Sequence, residues 1–237
     1  MSGLGQIWVY LSATPLLWLC VTVVAYVAAV RIAAAFGGSP FANTVLIATV
    51  LVIATLLLTN TPYQQYFEGA QFVHFLLGPA TVALAVPLFR NIAAVRKSLL
   101  PMLLALLAGS LTAIGSAIAI AMAFGAPETV LASIAPKSTS APIAMELAKS
   151  LGGIPSLAAV LVILTGITGA VIVTPLMNAL RITNYAARGF AVGVASHGIG
   201  TARAFQVSDV AGAFAGIAMA MNGALTSIIV LVWLAFN

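Results

Sequence analysis

A chain of 237 residues that is 62% hydrophobic and only 5% charged has too few ionic groups to coat a water-soluble globule, because soluble domains carry about a quarter charged residues. A mean hydropathy of +1.17 agrees, and together these values exclude a soluble enzyme, a nucleic-acid binder and a disordered chain. The net charge of +5 is spread between Arg31 and Arg203 and not gathered into a patch, which fits basic loops at a membrane better than nucleic-acid contacts.

The expected fold class is an all-α integral membrane protein, a single polytopic domain over 1–237, with the lipid bilayer as principal partner. Its opening run has no Lys or Arg before Arg31, so the first span, about 11–30, lacks the basic start of a cleaved signal and is expected to be retained. Cys20 falls within it as the one cysteine and is expected to pack, which leaves no intrachain disulfide or cysteine metal site. Gly37-Gly38-Ser39-Pro40 breaks the next run and leaves a second span at about 41–60. Four further spans follow at about 70–90, 98–124, 156–180 and 211–235. Each of the six offers the roughly 20 apolar residues that a crossing helix needs. Within the third, Gly78-Pro79-Ala80-Thr81 and Pro87 mark either a kink or a broken-helix site, while Gln71 and His74 read as interfacial.

Two stretches, about 131–151 and 189–205, are too apolar for loops and too interrupted for spans. Irregular backbone at membrane depth survives only where protein buries it or a wet cavity solvates it, so both are expected to be broken or re-entrant. The distribution of cations supports re-entry for the first. With Arg31 inside, the loop carrying Glu68 falls outside, Arg90, Arg96 and Lys97 inside, and Glu128 outside. Arg181 and Arg188 then fall inside only if 131–151 enters and returns on one side. A weak internal repeat, at an offset of 57 residues from Gly78 to Ala135, also aligns Gly109 with Gly166. Secondary transporters are commonly built from such repeats, with broken helices meeting near the midplane.

The ionisable and hydroxyl residues in the broken stretches are the candidates for chemistry. Ser196-His197-Gly198-Ile199-Gly200-Thr201-Ala202-Arg203 combines two ionisable groups with glycines that can expose backbone N–H groups. It reads equally as an anion site or as a juxtamembrane loop with a snorkelling arginine and an interfacial histidine. Lys137, Ser138, Thr139 and Ser140 lie between Pro136 and Pro142, which keep the segment out of regular helix. Pro142 can open a half-helix whose N-terminal dipole faces a negative ligand; the bland alternative is a solvated loop. Glu146 can take protons or pair with Lys149 or Lys137. Asn222 in the last span is expected to hydrogen-bond between helices, and small residues such as Ala211, Gly212, Ala213 and Gly216 to serve close packing. There is no phosphate-binding Walker loop, no metal-ligand spacing and no nucleophile–base pair, so neither an enzyme nor a cofactor is expected.

The motifs at 78–88 (Gly-Pro-Ala-Thr-Val-Ala-Leu-Ala-Val-Pro-Leu), 135–145 (Ala-Pro-Lys-Ser-Thr-Ser-Ala-Pro-Ile-Ala-Met) and 195–204 (Ala-Ser-His-Gly-Ile-Gly-Thr-Ala-Arg-Ala) resemble the LrgB/CidB family. The resemblance covers essentially the whole chain; where Ser140 stands, relatives often have threonine. It implies a multi-pass bacterial inner-membrane protein, described historically as a holin- or antiholin-like regulator of murein hydrolases and lysis that acts with a small LrgA/CidA-type membrane partner. The plant plastid glycolate/glycerate transporter is similar, which implies carriage of small monocarboxylates such as glycolate, glycerate, lactate or pyruvate.

On this reading a carboxylate sits between 135–142 and 195–203. Arg203 holds it in a two-pronged contact, and Ser138, Thr139 and Thr201 read its oxygens. Lys137, Ser140, Ser196, Gly198, Gly200, Pro79 and Thr81 complete the expected site, with His197 or Glu146 as proton-coupling candidates. The small-residue faces make a homodimer reasonable. The alternative is a regulator or pore without substrate, in which the same motifs serve assembly.

Overall fold

The computed structural model describes residues 14–37, 39, 42–76, 79, 82, 86, 89 and 92–236, and every regular element among them is helical. Packing divides the chain into two compact units, Met1–Ala83 and Leu84–Asn237.

The first unit holds α1 (Pro15–Ala35), α2 (Thr44–Thr59) and α3 (Tyr63–Phe75). Proline opens α1 where its missing N–H would have no partner in any case. Asn43 caps α2 by accepting from the Leu46 N–H at 3.0 Å, and Asn60 ends it in the left-handed conformation at φ 51°. Helix α1 packs against both neighbours. Fully buried Trp18 meets Tyr66 edge-on at 6.2 Å between ring centroids, and the Thr22 hydroxyl donates to the Tyr66 oxygen at 3.1 Å. Gly69 makes this approach possible: a Cβ there would stand 2.1 Å from the Pro15 carbonyl oxygen.

The second unit runs through α4 (Ile92–Lys97), α5 (Leu99–Ala123), α6 (Glu128–Ile134), α7 (Ala141–Ser150), α8 (Pro155–Ala179), α9 (Tyr185–Val207) and α10 (Asp209–Phe236). Across the described residues, four helices are long and apolar enough to cross a membrane: α1, α5, α8 and α10. Six were expected, and the spans at about 41–60 and 70–90 are not among these four. The span expected at 41–60 forms the 16-residue α2, about 24 Å long against a hydrocarbon core of about 30 Å. Of the span expected at 70–90, α3 covers the start up to Phe75; Gly78, Thr81 and Pro87 lie outside the described residues. Helix α1 continues past Arg31 to Ala35, because an arginine interrupts an apolar run without disfavouring helix and its long stem can carry the charge outward.

Both interrupted stretches turn back on themselves. The first breaks between α6 and α7, at 135–140. Its two ends are tied together: the Ile154 N–H donates to the Ser133 hydroxyl at 2.8 Å, and a Cβ on Gly153 would lie 2.8 Å from the Ser133 nitrogen. In the second, the break is confined to Ser196 (φ −131°, ψ 15°) and His197 (φ 42°, ψ −136°) inside α9. Val192 and Ala204 nevertheless share one buried cluster with Ala211 and Ala215. Twelve residues along a straight helix would set the first two about 18 Å apart, so α9 is a hairpin with arms 185–195 and 198–207. Glycine seats the first arm against α10: a Cβ on Gly189 would be 2.0 Å from the Ala211 carbonyl oxygen, and one on Gly193 2.2 Å from that of Ala215. Small residues four apart on each helix let the two backbones touch.

The hairpins open toward opposite ends of the unit. Ser98, at the start of α5, shares a cavity wall with Asn184, at the start of α9, which places Lys97 and Arg188 at one end. Glu128 and Leu151 share a wall with Trp233 near the end of α10, which marks the other. Arg181 and Arg188 therefore lie on the side of Arg96 and Lys97, as the charge distribution requires if 131–151 enters and returns.

A candidate anion site between two hairpin tips

Asn222 holds the two tips together. It is buried at the midpoint of α10, about 20 Å from either end of that helix. Its amide donates to the Ser138 carbonyl in the first tip at 3.0 Å and to the Val194 carbonyl beside the second at 3.2 Å. Its Oδ1 accepts from the Ser110 hydroxyl at 2.5 Å, and Ser110 lies at the midpoint of α5. Carbonyls released by a helix break need such donors where there is no water.

Next to this cross-link lies a cavity of about 780 Å³, walled by both tips together with α5 and α8. This is within the usual range for small-ligand sites. Its polar wall consists of Lys137 and Ser138 from the first tip, Ser196 from the second, Thr112 from α5, and Thr165 and Thr168 from α8. Lys137 is the one charged residue on that wall among the described residues. It is half-buried, and its ammonium donates to the Ser138 hydroxyl at 3.3 Å. Gly169 leaves room for Ser196, whose Oγ would lie 1.6 Å from a Cβ at that position.

The other expected site residues take different places. His197 is buried, with its Nε2 2.8 Å from the Val162 carbonyl of α8. A carbonyl only accepts, so Nε2 carries the hydrogen. The Thr201 hydroxyl donates back to the His197 carbonyl at 2.8 Å. Gly166 makes room for the ring, since a Cβ there would stand 2.5 Å from His197 Cε1. Thr139 is buried and donates to the Pro136 carbonyl at 2.8 Å, closing the first turn. Ser140 is the N-cap residue of α7, with Pro142 just inside that helix. Gly200 packs against Ser196 and Val192 inside the second hairpin, whereas Gly198 is exposed. Glu146 is exposed on α7. Arg203 lines a separate cleft with Arg188, and no residue of that cleft lines the large cavity. Pro79 is exposed, and Thr81 lies outside the described residues.

The sequence matches the LrgB-like family over residues 22–236. The chain belongs to that family. Among relatives of this LrgB-like protein, Bacillus subtilis (strain 168) YxaC is 35% identical over 215 residues, spanning 90% of this chain and 93% of its own. The holin-like protein CidB of Staphylococcus aureus (strain Mu50) is 29% identical over 91% of this chain and 93% of its own. The antiholin-like protein LrgB of Bacillus mycoides (strain KBAB4) is 28% identical over 80% and 83%. No solved structure matches. With its long apolar helices, this LrgB-like chain is a multi-pass bacterial membrane protein.

The hydroxyls of Thr112, Thr165 and Thr168 escaped the reading of this LrgB-like sequence because they sit in uninterrupted spans. Their signal was periodic: Leu161, Thr165 and Thr168 recur at helical spacing, which puts them on one face of α8.

Proposed function

We propose that this protein is a membrane component of a holin- and antiholin-like system that regulates murein hydrolase activity and lysis. The names of its relatives support this reading more directly than they support any substrate. Action with a small LrgA/CidA-type membrane protein, and as a homodimer, belongs to the same proposal.

The geometry favours a second reading, carriage of small monocarboxylates. The observation behind it is the midplane cavity, whose one cation, Lys137, stands among hydroxyls at the meeting of two opposed hairpins. A carboxylate crossing lipid needs a cation and donors at depth. Lys137 supplies the charge, and Ser138, Ser196, Thr112, Thr165 and Thr168 supply O–H groups for a carboxylate, a 2-hydroxyl or a keto oxygen. The returning helices, α7 and 198–207, both begin at the tips, so their positive dipole ends face the midplane from opposite sides. On this reading Lys137, one of the two cations expected at the site, meets the carboxylate, while Arg203 lines the separate cleft.

Reconstitution separates the two readings. Pure protein in liposomes is given labelled glycolate or pyruvate, and Lys137→Gln is run alongside at matched abundance. Saturable uptake that Lys137→Gln lowers at least tenfold supports the carrier, since a charge-assisted hydrogen bond contributes about 1.5–3 kcal/mol. If Lys137→Gln restores normal lysis to a strain lacking the protein, and the wild type carries neither acid, the regulator stands alone.

A further inference from the structure

The cleft that holds Arg203 lies between the arms of α9 at the basic end of the second unit. Arg188 comes from the first arm and Arg203 from the second. None of the second unit's acidic residues, Glu128, Glu146 and Asp209, lines it. Arg188 is held in place: its Nε donates to the Ile182 carbonyl at 2.6 Å, its Nη2 to Asn178 Oδ1 at 2.5 Å, and its guanidinium lies 5.9 Å from the Tyr185 ring centroid. Arg203 donates from Nη1 to Gln206 Oε1 at 3.1 Å, while its Nε is buried without a partner among the described residues. Two like charges on arms that must close against each other, one with an unmet buried donor, call for an oxyanion between them.

We propose that this cleft binds the phosphate of an anionic lipid, which staples the arms of the second hairpin. Its size and position select that ligand. The internal volume is about 20 Å³, room for one water or a single oxygen, so a whole carboxylate substrate does not fit and an oxyanion must reach in from the mouth. Arg188 and Tyr185 open α9 on the side of Lys97, where basic pockets between membrane helices meet anionic headgroups and aromatic rings favour the interface. This assignment does not depend on whether the midplane cavity carries a substrate.

The test is thermal unfolding of the full chain in detergent, with added phosphatidylglycerol, phosphatidylcholine or inorganic phosphate. Phosphatidylglycerol should raise the midpoint, and the other two should not. Arg188→Gln and Arg203→Gln should each weaken the half-saturating lipid concentration roughly tenfold or more. Arg203→Lys, which keeps the charge, should retain part of the response, and Lys97→Gln should retain all of it. Where Arg203→Gln folds poorly, Arg188→Gln and Arg203→Lys decide the matter. An unchanged response in Arg188→Gln or Arg203→Gln overturns the site. An equal shift with inorganic phosphate overturns the lipid as its source. No shift with any probe means the cleft holds only water, and the proposal falls.

Discussion

Replacing Asn222 by Ala removes three buried hydrogen bonds at once, those to Ser138, Val194 and Ser110. Each is worth about 0.6–1 kcal/mol net in a membrane interior, so about 2–3 kcal/mol is lost. The upper end applies, because the Ser138 and Val194 carbonyls belong to broken helix and have no regular partner to return to. For a chain of this length that loss lowers the unfolding midpoint by roughly 6–12 °C. Asn222→Asp keeps the size and the Ser110 contact but removes both donors, and should cost nearly as much. Ser110→Ala should cost about 1 kcal/mol in the wild type and almost nothing beside Asn222→Ala, because its partner is already gone. Thermal unfolding in detergent, followed by tryptophan fluorescence, reads all four variants. If Asn222→Ala melts within about 2 °C of wild type, or the two substitutions simply add, Asn222 does not hold the tips and the cavity is not organised as described.

Gly193→Ala and Gly189→Ala each aim a methyl group at a carbonyl oxygen of α10, where only backbone can yield; both should unfold at lower temperature or fail to accumulate. Gly115→Ala, with nothing within 4 Å of the added carbon, should melt like wild type. Gly169→Ala displaces Ser196 from the cavity wall; if the cavity carries substrate, uptake should fall while Gly115→Ala transports normally. With Cys20 replaced, Ala93→Cys and Thr183→Cys should react with an impermeant thiol reagent from one side of the membrane, and Glu128→Cys and Ser150→Cys from the other. Labelling of positions 128 and 150 from opposite faces would mean that 131–151 spans.

The fold was legible wherever composition alone decides. Long apolar runs give α5, α8 and α10 to within a few residues, because in lipid a helix of sufficient length is the only open-ended way to satisfy the backbone. Both broken stretches were legible for the same reason: glycine, proline and polar residues at membrane depth require shelter. What sequence could not give is which way the chain leaves each break. That depends on side chains from elsewhere, such as Ser133 meeting Ile154 or Gly166 admitting His197. The site was half legible. Lys137, Ser138 and Ser196 stood out against their apolar surroundings and do meet on one cavity wall, whereas Arg203, equally conspicuous, lies in a separate cleft. Once the hairpin reverses at Ser196 and His197, a residue six positions beyond the tip has returned about 9 Å toward the membrane surface.

That reversal also explains how His197 serves the tip. Its φ of 42° is a conformation that glycine adopts freely and other residues avoid, at a cost of about 1–3 kcal/mol. Gly198 follows immediately, so the sequence had a glycine within one residue of the strained position and did not use it there. What glycine could not supply is the ring, whose Nε2–H reaches the Val162 carbonyl on α8. That carbonyl lies one helical turn before Gly166, and Gly166 is the position whose missing side chain admits the ring. The strain and the hydrogen bond therefore form a single device: the hairpin reverses at the one residue that can also lock the reversed tip onto α8. Through the same lock Ser196, one residue earlier, is held against Gly169 on the cavity wall. His197 thus acts on the cavity through its neighbour, and on the carrier proposal the group that would meet an anion there is Lys137 of the opposite tip.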